Sequence, residues 1–191
     1  NKIDRIGADF NGAVRMIRDR LGTIPLPLQI PIGLEKDFRG VVDLVAMKSL
    51  IWHGDDVGAT PEAGEIPNHC REEAERARKE FLECLAGEDD EILRRYVEDE
   101  PMTEEALIGS IRALTLSRRV TPVLCGSALR NKGIQPLLDG VVRYLPSPTD
   151  IEPVEVINPR TASREVRLPR VREPFGALAF KIITDQDRRL P

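Results

Sequence analysis

Five side chains near two distant points of a 191-residue chain could serve one ligand. Asn1, Lys2 and Asp4 stand in the tetrad Asn-Lys-Ile-Asp, and Ser127 and Ala128 follow Gly126 in a Gly-Ser-Ala triplet. If both stretches close neighbouring parallel strands, they lie at the edge where open α/β sheets bind ligands. An aspartate at the fourth position of the tetrad can accept two hydrogen bonds from the N1–H and N2–H₂ of a guanine. Charge-assisted bonds of this kind are strong, at roughly 1.5–3 kcal/mol each. Adenine offers no matching pair of donors, and a site built on such polar pairing can reject the wrong ligand by about 10⁴–10⁵. The aliphatic stem of Lys2 can lie on one face of the base. Asn1 can bond to the base edge and tie neighbouring loops together. The small side chains of Gly126-Ser127-Ala128 let a backbone N–H approach the guanine O6. Neither motif is specific alone, and the plain reading is that Asp4 caps a helix and Ser127-Ala128 is a turn.

The elements that must position these residues are legible in the spacing of apolar side chains. Phe10, Ala13, Val14, Ile17 and Leu21 recur at helical intervals, with Asp9 as N-cap and Gly22 as stop. From Pro25 the period changes to two. Leu26, Leu28, Ile30 and Ile32 share one parity, which predicts a strand that its prolines confine to an edge or to irregular pairing. The run Phe38–Trp52 predicts one or two further strands and ends at a Gly- and Asp-rich loop, residues 54–65. The single Trp52 reads as packed against the sheet and His53 as a loop residue.

Three helical segments come next. The first, near 70–86, carries the stripe Cys70, Ala74, Ala77, Phe81 and Leu85, and its other faces carry Glu72, Glu73, Glu75, Arg76, Arg78 and Lys79. The second presents Ile92, Leu93, Tyr96 and Val97; the third, near 103–118, is capped by Thr103 with Glu104 and Glu105 in its first turn. Residues 120–128 then form a short apolar run ending in small residues, directly before an amphipathic helix whose apolar positions are Ile134, Leu137, Leu138, Val141, Val142 and Leu145. That is a strand-turn-helix unit of the α/β kind. Residues 151–174, rich in Pro and Arg, read as an interdomain connection, and a new strand is predicted to open at Pro174.

The totals exclude several classes. With 28 basic and 32 acidic side chains the net charge is −4, which exerts no global pull towards DNA or an anionic membrane. No apolar run approaches the ~20 residues of a membrane span, and no signal peptide is visible. Three cysteines, Cys70, Cys84 and Cys125, include no C-x-x-C pair, so a disulfide framework or zinc knuckle is not indicated and a reducing compartment fits. Cys70 and Cys84 return to nearly one helix face with His69 nearby, but small buried thiols are the ordinary reading. No metal ligand set and no catalytic residue is assigned. The polar start without an initiating Met reads as a piece of a longer protein.

The chain resembles the elongation factor G family of translational GTPases nearly end to end. The likeness is carried by residues 1–10 (NKIDRIGADF), LPLQIPIG, FRGVVDLVAMKSLIW, EILRRYVEDEPMTEEAL, TPVLCGSALRNKGIQPLLDGVVRYLPSP and PFGALAFKI. The resemblance implies that Asn1, Lys2 and Asp4 are the guanine-specificity motif and that Ser127 and Ala128 are the second base-contacting motif. It implies an α/β fold with an α+β insert: a partial P-loop GTPase-type domain carrying an inserted α/β G′ subdomain, followed by the first strands of a β-barrel domain. Residues 1–23 and 119–150 then belong to the GTP-binding domain, 24–118 to G′, and 151–191 to a linker and the barrel start. After residues 181–185 (KIITD) the family continues through a glycine-containing turn, whereas this chain reads QDRRLP, which leaves open an elongation factor G-like paralogue with another ribosome-linked role. The implied ligand is GTP or GDP, held here by its guanine end only, with Mg²⁺ in the full-length protein. The implied partners are the ribosome and its stalk protein, the latter through helix 70–86, in a cytoplasmic factor that drives translocation of tRNA and mRNA. The phosphate-binding loop G-x-x-x-x-G-K-[ST] is absent from the sequence, so the 191 residues are expected to be inactive alone. A protein-binding module acting through the insert is the alternative, and its discriminating measurement is titration with nucleotide against titration with stalk protein.

Overall fold

The computed structural model describes residues 1–54, 60–177 and 179–181. Residues 55–59 of the predicted Gly- and Asp-rich loop, and the divergent segment 182–191, lie outside the described residues. The chain divides into two compact units, Asn1–Leu145 and Pro146–Pro191.

The first unit opens with α1, Phe10–Leu21. Asp9 caps it, its carboxylate accepting the Gly12 N–H at 2.8 Å, and Gly22 closes it in the left-handed conformation at φ 63°. Arg18 and Arg20 sit in the last turn, where the helix dipole favours cations. Next comes a segment that the period-two pattern predicts as one strand, but which the structure divides. β1 (Ile24–Pro27) pairs in parallel with β6 (Val120–Val123), whereas β2 (Gln29–Ile32) pairs antiparallel with β3 (Gly40–Asp43). The division falls at Leu28, whose N–H donates to Val123 O at 2.9 Å while its carbonyl accepts the Leu44 N–H, also at 2.9 Å. Parity explains how three prolines are tolerated. Pro25, Pro27 and Pro31 share the parity opposite to Leu26, Leu28, Ile30 and Ile32, so the missing donors fall on the unpaired edges of both strands. The four apolar residues are all buried.

β3 continues through β4 (Lys48–Ile51) to β5 (Glu62–Gly64), completing an antiparallel sheet in the order β2-β3-β4-β5. Its β3–β4 turn is held by Asp43, whose Oδ1 accepts the N–H groups of Val45 at 2.7 Å and Ala46 at 3.1 Å. Trp52 is buried as expected, and His53 on the surface bonds Glu62 at 2.6 Å. The helices α2 (Asn68–Ala86), α3 (Asp90–Val97) and α4 (Glu104–Leu116) follow. Thr103 caps α4 through the Ala106 N–H at 3.2 Å. Asp89 does two things: its Oδ1 caps α3, and its Oδ2 accepts the Ser110 hydroxyl of α4 at 2.6 Å. Cys70, Ala74, Phe81 and Leu85 of α2 and Leu107, Ile111 and Leu114 of α4 enter the common core. Burial of each large member stabilises by about 1.5–3 kcal/mol.

After β6 the chain turns into α5, Ile134–Tyr144. Its amphipathic pattern is present, but the face is not the one that is covered. Leu137, Leu138, Val141, Val142 and Leu145 are exposed, Val142 at 80%, while Gly140 and Tyr144 are buried. The parallel sheet among the described residues has two strands, too few to cover a helix face of that width.

In the second unit, residues 154–167 form a hairpin where an irregular connection was expected. β7 (Val154–Ile157) pairs antiparallel with β8 (Arg164–Arg167). The alternation in VEVI and REVR is the signal, obscured by the surrounding prolines and arginines. Ala162, at φ 56°, closes the loop with its N–H on Asn158 O at 2.8 Å. The predicted strand from Pro174 is not formed at residues 174–177 or 179–181, because a strand exists only where a ladder partner takes up its N–H and C=O groups. Among the described residues no helix is long and apolar enough to cross a membrane.

Candidate functional site

The two motifs, 127 positions apart at Asn1 and Ala128, meet in the folded chain. What joins them is the parallel pairing of β1 with β6, which returns residue 120 beside residue 24 after the whole of the intervening segment. From that ladder β6 runs directly into Leu124–Ala128, while the first loop lies across its end.

The Gly-Ser-Ala turn is rigid for steric reasons. Ser127 forms a bridge with Lys132, its N–H donating to Lys132 O at 2.8 Å and its carbonyl accepting the Lys132 N–H at 3.0 Å. A Cβ on Gly126 would stand 2.6 Å from Lys132 O, and one on Gly133, at φ 87°, would stand 2.7 Å from Cys125 O. Only glycine fits at both positions. Ser127 is 1% exposed, and its Oγ accepts the Arg130 N–H at 3.3 Å.

The Asn-Lys-Ile-Asp loop is bound to this turn by three groups. Asn1 Oδ1 accepts the Ala128 N–H at 3.1 Å and the Lys2 N–H at 2.8 Å. The Ile3 N–H donates to Gly126 O at 3.4 Å, with the Ile3 side chain buried. The neighbouring Ser127 hydroxyl holds the Asp4 carboxyl below the ordinary 3.8, with Arg130 and Arg5 acting in the same direction. An ionised Asp4 is acceptor-only, as the pairing with two N–H donors requires. Lys2 takes φ 67° in the left-handed region, a conformation costing a β-carbon residue of order 1 kcal/mol and imposed here by the loop. Asn1, Lys2, Asp4, Ser127 and Ala128 are therefore brought together. One detail differs from the sequence reading: the Ala128 N–H is engaged by Asn1, so this amide and the Asn1 side chain act as one unit.

Sequence reasoning missed the third component. Glu35, in the short 3-10 turn Glu35–Asp37 after β2, donates its backbone N–H to Ile3 O at 2.9 Å and accepts the Gly7 N–H on Oε1 at 2.8 Å. No local pattern marks a contact across 28 positions. The charged face of α2 also needs one correction. Arg78 does not project with its neighbours: its guanidinium donates to Leu44 O and to Val45 O and lies 5.3 Å over the Phe81 ring. Glu72, Glu73, Glu75 and Arg76 do remain exposed, and Lys79 faces Glu83 at 3.8 Å.

Among the described residues no group of three or more His, Cys, Asp or Glu side chains lies together as a metal site. Burial raises the thiol pKa of Cys70 and Cys84 and pushes that of Cys125 up to about 12.

The family model for the elongation factor Tu GTP binding domain matches residues 1–147. Elongation factor G 2 of Syntrophus aciditrophicus (strain SB) is 46% identical over 190 residues, covering 100% of this chain and 28% of that protein. Elongation factor G of Amoebophilus asiaticus (strain 5a2) is 46% identical over 186 residues, covering 97% and 26% respectively. The chain thus spans a little over a quarter of the length of these relatives. A crystal structure from Thermus thermophilus superposes on 77% of this chain and 22% of its own, with a TM-score of 0.63 at 28% identity. With residues 1–147 matched by that family model, the chain belongs to the elongation factor Tu GTP binding domain family and is similar throughout to elongation factors G.

Proposed function

We propose that these residues form the guanine-recognising end of a nucleotide site in a ribosome-dependent GTPase of the elongation factor G kind, acting in translocation in the cytoplasm. The observation that supports this best is the joining of the Asn1–Asp4 loop to the Gly126–Ala128 turn, through Asn1 with Ala128 and Ile3 with Gly126. An ionised Asp4 accepts from guanine N1–H and N2–H₂, and the tie to Asn1 sets the Gly126–Ala128 backbone at the O6 edge. The Lys2 stem covers one face of the ring. Residues 1–23 and 119–150 act in this reading as parts of the GTP-binding domain, 24–118 as the G′ insert, and 151–191 as the approach to a barrel domain.

The triphosphate and its Mg²⁺ would be held by residues outside this chain, since the sequence carries no phosphate-binding loop. Base contacts alone supply a few kcal/mol, against an association cost of about 4–15 kcal/mol. The 191 residues therefore recognise guanine only as part of the longer protein and hydrolyse nothing alone. Calorimetry with GTP and ATP is the test, on these residues and on a chain of the relatives' full length. Equal affinity for the two nucleotides in the long chain would refute the reading. On the same reading the ribosome is the partner, and the exposed Glu72, Glu73, Glu75 and Arg76 of α2 form the face offered to its stalk protein. Titration of the stalk protein against charge-reversed variants at these four positions tests that part separately.

A further inference from the structure

The loop that carries Asn1, Lys2 and Asp4 is held from two directions. One is the Gly126–Ala128 turn described above. The other is Glu35, which engages the loop twice: its backbone N–H binds Ile3 O at 2.9 Å, and its carboxylate binds the Gly7 N–H at 2.8 Å. Ile3 is thus bracketed, donating to Gly126 and accepting from Glu35.

The turn that presents Glu35 is built for one geometry. Gly33 has φ +77°, and a Cβ there would stand 2.1 Å from Asp37 O. Glu35 itself is left-handed at φ 55°. The turn closes through the Asp37 N–H on Leu34 O at 3.0 Å and the Phe38 N–H on Glu35 O at 3.2 Å, with the Phe38 side chain buried in the core. A glutamate in this conformation, serving the same loop with backbone and side chain, is more than a solvated surface residue.

We propose that Glu35 is a positioning residue for base recognition. It fixes the 1–8 loop against the Gly126–Ala128 turn, so that guanine specificity depends on a residue of the intervening segment 24–118. This rests on the guanine reading given above. Asp4 discriminates only when both carboxylate oxygens face N1–H and N2–H₂ together. Without the Glu35 carboxylate the Gly7 N–H loses its acceptor, and on this side the loop keeps only the Glu35 backbone bond to Ile3, so its Gly7 end is free to hinge against the ties of Asn1 to Ala128 and Ile3 to Gly126.

The test compares guanosine diphosphate with inosine diphosphate, which lacks the 2-amino group that Asp4 would bind. Both are measured by competition against a fluorescent guanine nucleotide, in a chain of the relatives' full length carrying these residues. Glu35→Ala is expected to weaken guanosine diphosphate by about tenfold, the scale of one bond to a charged group, and inosine diphosphate much less, so their ratio contracts. Glu35→Gln keeps an acceptor for Gly7 and restores most of the ratio. Should Glu35→Ala fail to fold, Glu35→Asp retains the charge but retracts the carboxylate from Gly7 and contracts the ratio in the same way. Amide exchange at Gly7 and Ile3, followed without nucleotide, is expected to quicken in the Ala and Asp variants. An equal loss for both nucleotides, or no loss, in whichever of these variants folds overturns the inference while leaving the guanine reading intact. A parent protein that binds the two diphosphates equally overturns the guanine reading itself, and with it this role of Glu35.

Discussion

At the scale of single residues, the site turns on how Asp4 stays charged while lying against another loop. The Ser127 hydroxyl is the first cause of its lowered pKa. A carboxylate with a folded-state pKa below its unfolded value contributes stability above that unfolded value and loses it as pH falls through the folded pKa. The Asp4 contribution to the tie between the two loops is therefore expected to be complete at neutral pH and to be lost only below the ordinary 3.8 of Asp4, while the bonds of Asn1 and Ile3 persist. Ser127→Ala removes the donor and moves the Asp4 titration upward, which carbon-detected NMR of the carboxyl carbon can follow; an unmoved midpoint would show that Ser127 is not the cause. A second expectation concerns the base. In a chain of the relatives' full length, Asp4→Asn is expected to weaken guanine binding by about tenfold or more and to favour xanthine, whose C2 oxygen replaces the donor amine. Competition binding with the two triphosphates reads both effects.

At the scale of elements, the caps and the core decide stability and the site inherits it. Ile111 of α4 is fully buried in the core that joins the helices to the antiparallel sheet. Ile111→Ala is expected to cost about 2–5 kcal/mol in denaturant unfolding. Asp9→Ala removes the α1 cap and is expected to cost about 0.5–2 kcal/mol, with the loss felt next to the loop that carries Asp4. The outward face of α5 makes the opposite case. Val142 is exposed, so Val142→Asp is expected to change the stability of these 191 residues by no more than about 0.5 kcal/mol. A loss of several kcal/mol would mean that this face is covered in solution, for example by a second copy of the chain. Helix α3 carries its own acid-sensitive feature. The hydrogen bonds of Arg94, then Arg95, lower Glu91 from 4.5 to about 2, so its ion pairs persist until pH falls towards that value.

For the whole molecule, the proposed reading assigns the guanine end of a nucleotide site to these residues and the phosphate end to residues outside them. Calorimetry on the 191 residues is expected to show no GTP binding at micromolar concentration, and extension to the relatives' full length to restore it with guanine preferred over adenine. Micromolar binding by the short chain would mean that the phosphates are held by residues assigned here to other roles.

Much of this was legible in the order of residues, and the reason is that the relevant physics is local. The Asp9 cap, the Gly22 stop, the Thr103 cap and the stripe from Cys70 to Leu85 each depend on groups within a few turns of one helix. The two motifs were recognisable from residue type alone, and buried parity along 26–32 followed from period two. What the sequence left open was pairing between distant segments, because hydrogen bonds between strands leave no periodic trace in either strand. The break at Leu28, the hairpin at 154–167, the withdrawal of Arg78 from its charged face and the reach of Glu35 to Gly7 all depend on which surfaces meet in space. The residue types of Asn1 and Ala128 could be read from the chain, but only the parallel ladder of β1 and β6 brought them within 3.1 Å of each other.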